Sequence, residues 1–244
     1  MAYNETGHAR NVANFEELVL VLTTIGVSYN PAVKTIQIGQ LNELTAQLKK
    51  NLQLINDKNG VYRDKIYARQ NAYEQMNSLS MRMVNTMAGL GLDAKLLTQA
   101  KSTLAKIRGS SSKKKKDLPA NGLPAPRTVS VSQMSFDQRK NNFSILIGLV
   151  NAQTEYKPNE TDMQIGSLQK YVDTLEILNT EAIQAEQDLT IARQQRDMVL
   201  YIENTGALPL TQQIKAYVKG AFSAQSAEYM RVKSIAFNTR KISI

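Results

Sequence analysis

Acid–base, metal and nucleophilic chemistry need side chains that this sequence supplies sparingly. It has one histidine, His8, and no cysteine. Without cysteine there is no thiol nucleophile, no disulfide framework and no Cys-ligated zinc or iron–sulfur centre. A two-histidine metal motif is excluded, and a Ser–His–Asp arrangement would have to use His8. That residue lies in a polar N-terminal stretch, four residues before an expected helix start, with no partner evident nearby. It reads as a solvated terminal side chain. The stretch GLGLD (Gly89 to Asp93) lacks the preceding strand and glycine spacing of a dinucleotide fingerprint. Glu160 and Asp162 share a turn, without the alternating oxygen ligands of a calcium loop. Asp173 and Glu176 fall on one helix face and read as solvated carboxylates. No catalytic, cofactor-binding or metal-ligating residue is assigned. No cofactor or small-molecule ligand is expected, and the chain is read as non-enzymatic. Met76, Met81, Met83 and Met87 would suit an adaptable groove, but core filling is the plainer use.

Charge gives the sharpest signal. The net charge is +9. Residues 1–118 carry 17 Lys/Arg against 9 Asp/Glu, whereas residues 119–244 carry 13 against 12. From Lys95 to Lys116 there are eight basic residues and no acidic one. Lys95, Lys101, Lys106 and Arg108 flank an apolar face formed by Leu96, Leu97, Ala100, Leu104 and Ile107. Lys113, Lys114, Lys115 and Lys116 follow. This segment is a candidate contact for a polyanion, either nucleic acid or an anionic surface. No aromatic residue interrupts it, so base stacking is not expected there.

The elements that position these residues repeat. YNPAVKTIQIGQL (Tyr29 to Leu41) returns as YKPNETDMQIGSL (Tyr156 to Leu168), identical at six of thirteen positions. Asn14-Phe15 answers Asn142-Phe143, Leu48 answers Leu175, and Ala68-Arg69-Gln70 answers Ala192-Arg193-Gln194. The constant order predicts a tandem duplication: repeat 1 over 1–108, repeat 2 over 135–244. Between them, 109–134 is rich in Ser, Lys and Pro and is expected to be a flexible linker.

Within each repeat the apolar spacing is helical. Leu41, Leu44, Leu48, Leu52 and Ile55 share one face, as do Leu168, Tyr171, Leu175, Leu178 and Ala182. Asp93 and Ser135 are placed to cap helices. The fold expected is all-α: two bundle-like units of about four helices each. Asn59-Gly60 suggests a helix–helix turn in the first repeat. The matching stretch of the second holds no breaker and allows one helix from Met163 to Glu203. VSVSQ (Val129 to Gln133) alternates but stands alone. The longest strongly apolar run, Leu18 to Val27, falls short of the ~20 residues of a helical span. No transmembrane segment or export signal is read, which predicts a cytoplasmic protein.

The stretches SQMSFDQRKNNF, ARQQRDMVLY, IKAYVKGAF and AEYMRVKSIAF of the second repeat, with NFEELV, YNP and YARQNAY of the first, resemble an uncharacterised family of two-repeat all-helical proteins common in Bacteroidota. The turn at Ser223 to Ala227 departs from that family's Gly- and Pro-containing loop. The resemblance implies a bacterial origin and the duplication, and no activity. Its family-like positions Arg193, Arg196, Tyr201, Tyr217 and Tyr229 are a candidate polar seam between helices, or tyrosines packed in the core. The function expected is a non-enzymatic interaction or structural protein with two related helical modules, bound to a protein partner or to itself. The alternative is polyanion binding through Lys95 to Lys116.

Overall fold

The structure, a computed structural model, describes residues 5–109 and 135–238. The sequence stretches at 110–134, VSVSQ and Lys113–Lys116 among them, lie outside the described residues. All regular structure among the described residues is helical. Seven α-helices follow in order: α1 Glu5–Ile25, α2 Ile38–Gly89, α3 Ala94–Arg108, α4 Phe136–Asn151, α5 Ile165–Tyr201, α6 Ala207–Phe222 and α7 Ala227–Ser234.

The ends of these helices are set by local chemistry. The Asp93 carboxylate accepts from Lys95 N at 2.8 Å and Leu96 N at 3.2 Å, satisfying two of the free donors that open α3. Ser135 caps α4 by accepting from Gln138 N, and Ser226 caps α7 by accepting from Tyr229 N. Gly109 ends α3 in the left-handed conformation, φ 66°, which glycine adopts without strain.

The expected turn at Asn59-Gly60 is not made, because α2 continues through it for 52 residues. One glycine costs a helix only ~1 kcal/mol. Burial of Ile55 before it, and packing of Tyr62 after it, against Leu189 and Ala192 outweighs that cost. Among the described residues, the segment expected to be repeat 1 therefore holds three α-helices rather than four. In the second repeat α5 is the single long helix that the absence of a breaker allowed.

The chain forms two compact units. One is Met1–Tyr62 with Ala185–Ile244, the other Arg63–Gln184. Each unit thus draws residues from both of the segments expected to be repeats, 1–108 and 135–244. In the first, α1 buries Val12, Phe15, Leu18, Val19 and Leu22, a spacing of three and four that makes one stripe. It meets Leu41 and Leu48 of α2, Leu200 of α5, Leu210, Ile214 and Val218 of α6 and Val232 of α7. In the second unit α4 buries Phe143, Leu146, Ile147 and Val150. They meet Tyr73, Met76, Met83 and Met87 of α2, Ala100 and Ile107 of α3, and Leu168 and Leu175 of α5. Met76, Met83 and Met87 are core residues, as expected, and Met81 is exposed.

Each unit has a tyrosine that locks the approach to its long helix. Tyr29 is buried and donates its hydroxyl to Ile36 O at 2.7 Å. Tyr156 is buried and donates to Met163 O at 3.3 Å. In both, the acceptor lies seven residues on, at the end of a short 3-10 turn (Lys34–Ile36 and Thr161–Met163). No described helix is long and apolar enough to cross a membrane.

Candidate functional site

His8 and Asn11 lie three residues apart on α1, so they share a helix face. His8 is 2% exposed, which corrects the expectation of a solvated terminal side chain. Its partners come from α5, far along the chain. His8 Nδ1 lies 2.8 Å from Tyr201 Oη, and the two rings meet edge to face at 5.6 Å. Asp197 Oδ1 is 3.8 Å from the same nitrogen, and the fully buried Arg196 holds that carboxylate oxygen at 2.7 Å. Asn11 Nδ2 donates to Tyr201 Oη at 3.2 Å and to Asn238 O at 2.9 Å, while Asn238 N donates back to Asn11 Oδ1 at 2.9 Å. Asn14 Nδ2 adds a bond to Ala236 O. These bonds fasten the segment after α7 along α1.

Beside this network is a cleft of about 360 Å³, with Tyr201, Thr211, Gln212, Lys215 and Phe237 among its lining. The size suits a small ligand. Its cation is already engaged, however. Lys215 Nζ donates to Ile235 O at 2.6 Å and reaches Lys233 O at 3.4 Å, at the C-terminal end of α7 where carbonyls lack helical partners. The ammonium also lies 5.5 Å from the centre of the Phe237 ring. Burial pushes the Lys215 pKa below its ordinary value.

The second unit has a polar network of its own. Arg139 of α4 donates to Ile107 O at 3.1 Å, Tyr73 O at 3.1 Å and Asn77 Oδ1 at 3.2 Å. Asn179 Nδ2 donates to Tyr73 Oη at 2.8 Å and to Asp137 Oδ1 at 3.2 Å. Tyr73 and Phe136 meet edge to face at 4.7 Å, and the Arg69 guanidinium lies 4.0 Å from the centre of the Phe136 ring. Burial raises the pKa of the Tyr73 hydroxyl, and the Asn179 bond opposes that in part. Sequence reasoning did not single out Asn11, Arg139 or Asn179. A usable signal was the offset of 128 residues between Phe15 and Phe143, since the same offset carries His8 to Phe136 and Asn11 to Arg139.

The residues of the candidate seam all fall in the first unit. Tyr201, Tyr217 and Tyr229 pack against its core. Tyr201 meets His8 and Asn11. Tyr217 stands edge to face with Tyr29 at 5.3 Å, and its hydroxyl accepts from Asn30 N. Arg196 pairs with its neighbour Asp197. Arg193 is half-buried.

Of the basic segment, Lys95, Lys101, Lys106 and Arg108 are exposed on α3, while Lys113–Lys116 lie outside the described residues. Ala100 and Ile107, on the opposite face, are fully buried. A shallow hollow of about 430 Å³ is lined by Lys101, Leu104, Ala105 and Arg108. Glu176 pairs with Lys140, and Asp162 with Arg82 through two bonds. The latter bonds hold the Asp162 carboxyl below its ordinary pKa. Among the described residues no group of three or more His, Cys, Asp or Glu is arranged to hold a metal ion. No family model, curated protein or solved structure matches this chain.

Proposed function

We propose that the chain is a non-enzymatic interaction or structural protein in which one helical module has been duplicated in tandem. The duplication is supported by Phe15 and Phe143, Leu18 and Leu146, Val19 and Ile147, and Leu22 and Val150. Each pair is 128 residues apart and buried. The matching hydroxyl bonds of Tyr29 and Tyr156 support it further. A two-repeat organisation is also what the resemblance to the Bacteroidota family implies.

The observation that carries the functional reading is where the polar side chains direct their hydrogen bonds. Asn11 and Asn14 tie α1 to the chain after α7. Arg139 ties α4 to the carbonyls of Ile107 and Tyr73. Lys215 ties α6 to the end of α7. These four side chains are engaged in joining helices to each other. What is left facing outward is helix surface. In the first unit Ile191 and Met198 of α5 lie seven residues apart and so share one face, Ile202 follows just past the end of the helix, and each is about half exposed. Gln187, Gln194 and Gln195 border them without charge. A face of this kind packs against another helix. A second copy of the chain is the simplest protein partner.

Sedimentation velocity of the full chain across a concentration series, with crosslinking, tests the reading. Self-association that Met198→Glu abolishes is the expected result. A chain that stays monomeric throughout and gives no crosslinked dimer overturns it.

A further inference from the structure

The geometry points to α3 as a docking helix for the phosphate backbone of double-stranded nucleic acid. The surface is separate from the α5 face proposed for a protein partner, and neither depends on the other. Over its 15 residues α3 carries four cations and no carboxylate. All four are exposed, and none forms an ion pair among the described residues. Elsewhere Lys49, Lys58, Lys65, Arg82, Lys140 and Arg196 each pair with a carboxylate.

Helical geometry arranges the four in two rows. At 3.6 residues per turn, Lys95 and Lys106 fall on one row and Lys101 and Arg108 on another, roughly 140° round the helix. Between the rows runs a ridge of small residues, Thr98, Ser102 and Ala105. Lys95 and Lys106 are about 16 Å apart along the axis. The major groove of a duplex is about 12 Å wide and admits one helix. A helix with a low ridge and a cation row on each flank can approach the groove with its rows toward the phosphates of both strands.

The ridge offers little that reads bases. The Thr98 hydroxyl already donates to Ala94 O at 2.9 Å. No aromatic residue lies on α3 to stack against unpaired bases, which disfavours a single strand. A bilayer is disfavoured as well. The apolar face that an interfacial helix would insert is occupied here, with Ala100 and Ile107 fully buried in the core of the second unit. The binding is therefore electrostatic and independent of sequence.

Four phosphate contacts predict a slope of log K against log salt of about −3.6. Each fourfold rise in salt then weakens binding roughly 150-fold. The test is a salt titration of the full chain with a short DNA duplex by fluorescence anisotropy. Three variants are compared with the parent, each checked for unchanged helicity by circular dichroism. Lys95→Gln, Lys101→Gln, Lys106→Gln and Arg108→Gln together should flatten the slope by about 3 to 4 units. Lys34→Gln, Lys50→Gln, Lys157→Gln and Lys219→Gln remove four exposed cations elsewhere and should change it by less than about 1 unit. Equal losses in these two variants would show a net-charge effect and overturn the proposal. So would loss of the whole slope on replacing Lys113 to Lys116 with Ser, or binding to phosphatidylserine vesicles with none to the duplex.

Discussion

Replacing Tyr29 with phenylalanine removes one oxygen and leaves the ring, including its edge-to-face contact with Tyr217 at 5.3 Å. The lost bond is short, 2.7 Å, and both partners are buried. A hydrogen bond of this kind contributes about 1 kcal/mol net, and an abandoned buried carbonyl costs about as much again. Tyr29→Phe should therefore destabilise the first unit by about 2 kcal/mol. Tyr156→Phe removes the matching bond of the second unit, which is longer at 3.3 Å and so weaker. Its cost should be about 1 kcal/mol. The two bonds share no partner and lie in different compact units, so the double variant should lose about 3 kcal/mol by simple addition. Urea unfolding followed by circular dichroism measures each loss as a shift of midpoint at constant slope. A loss under about 0.5 kcal/mol for Tyr29→Phe would refute the reasoning, because a buried carbonyl would then have lost its donor without penalty. So would a larger cost for Tyr156→Phe than for Tyr29→Phe.

Alkaline pH should destabilise the second unit. Burial pushes the hydroxyls of Tyr156 and Tyr171 up to about 12, whereas an unfolded tyrosine titrates near 10. The folded chain thus holds the neutral phenols, so their contribution is complete below about pH 10 and is lost as pH rises toward 12. Urea midpoints across that window should fall, and less steeply in Tyr156→Phe. Gly60→Ala should stabilise by about 0.5–1 kcal/mol, because the residue is inside α2 and an added Cβ meets nothing within 4 Å; a rise in melting temperature of about 2–3 °C would register it. Gly206→Ala should do the reverse, losing about 1–3 kcal/mol, since its Cβ would lie 2.7 Å from both Ile202 N and Ile202 O. Arg139→Ala should cost about 3 kcal/mol by breaking three hydrogen bonds to two other helices, and Arg139→Lys should restore less than half of that, because an ammonium cannot copy the planar fork. Thermal melts of both variants check this.

Helix identity and most helix ends were legible in the sequence because they are local. Asp93 and Ser135 cap the helices they precede, as their side chains predict. The three-and-four spacing of Leu41, Leu44, Leu48, Leu52 and Ile55 puts one stripe against the core, with Leu41, Leu48 and Ile55 buried in it. Asn59-Gly60 was misread because the forces that override a glycine come from Leu189 and Ala192, about 130 residues away in the chain. His8 was misread for the same reason. Its partner Tyr201 is 193 residues on, and a polar N-terminal sequence gives no sign of it. Arg139 looks like an ordinary surface arginine until its three acceptors are brought together from two other helices. The cations of α3 were found at once, because a run without a carboxylate is visible in one dimension.

The way the chain is shared between the units orders its birth at the ribosome. Arg63–Gln184 is one uninterrupted stretch and can close as soon as it has emerged. The other unit must wait, holding α1 and the start of α2 while those 122 intervening residues are made. At about 5–20 residues per second the delay is roughly 6–24 s. Through that interval Phe15, Leu18 and Leu22 have none of the α5, α6 and α7 side chains that later cover them. The apolar stripe of α1 is therefore without its later cover for seconds during synthesis.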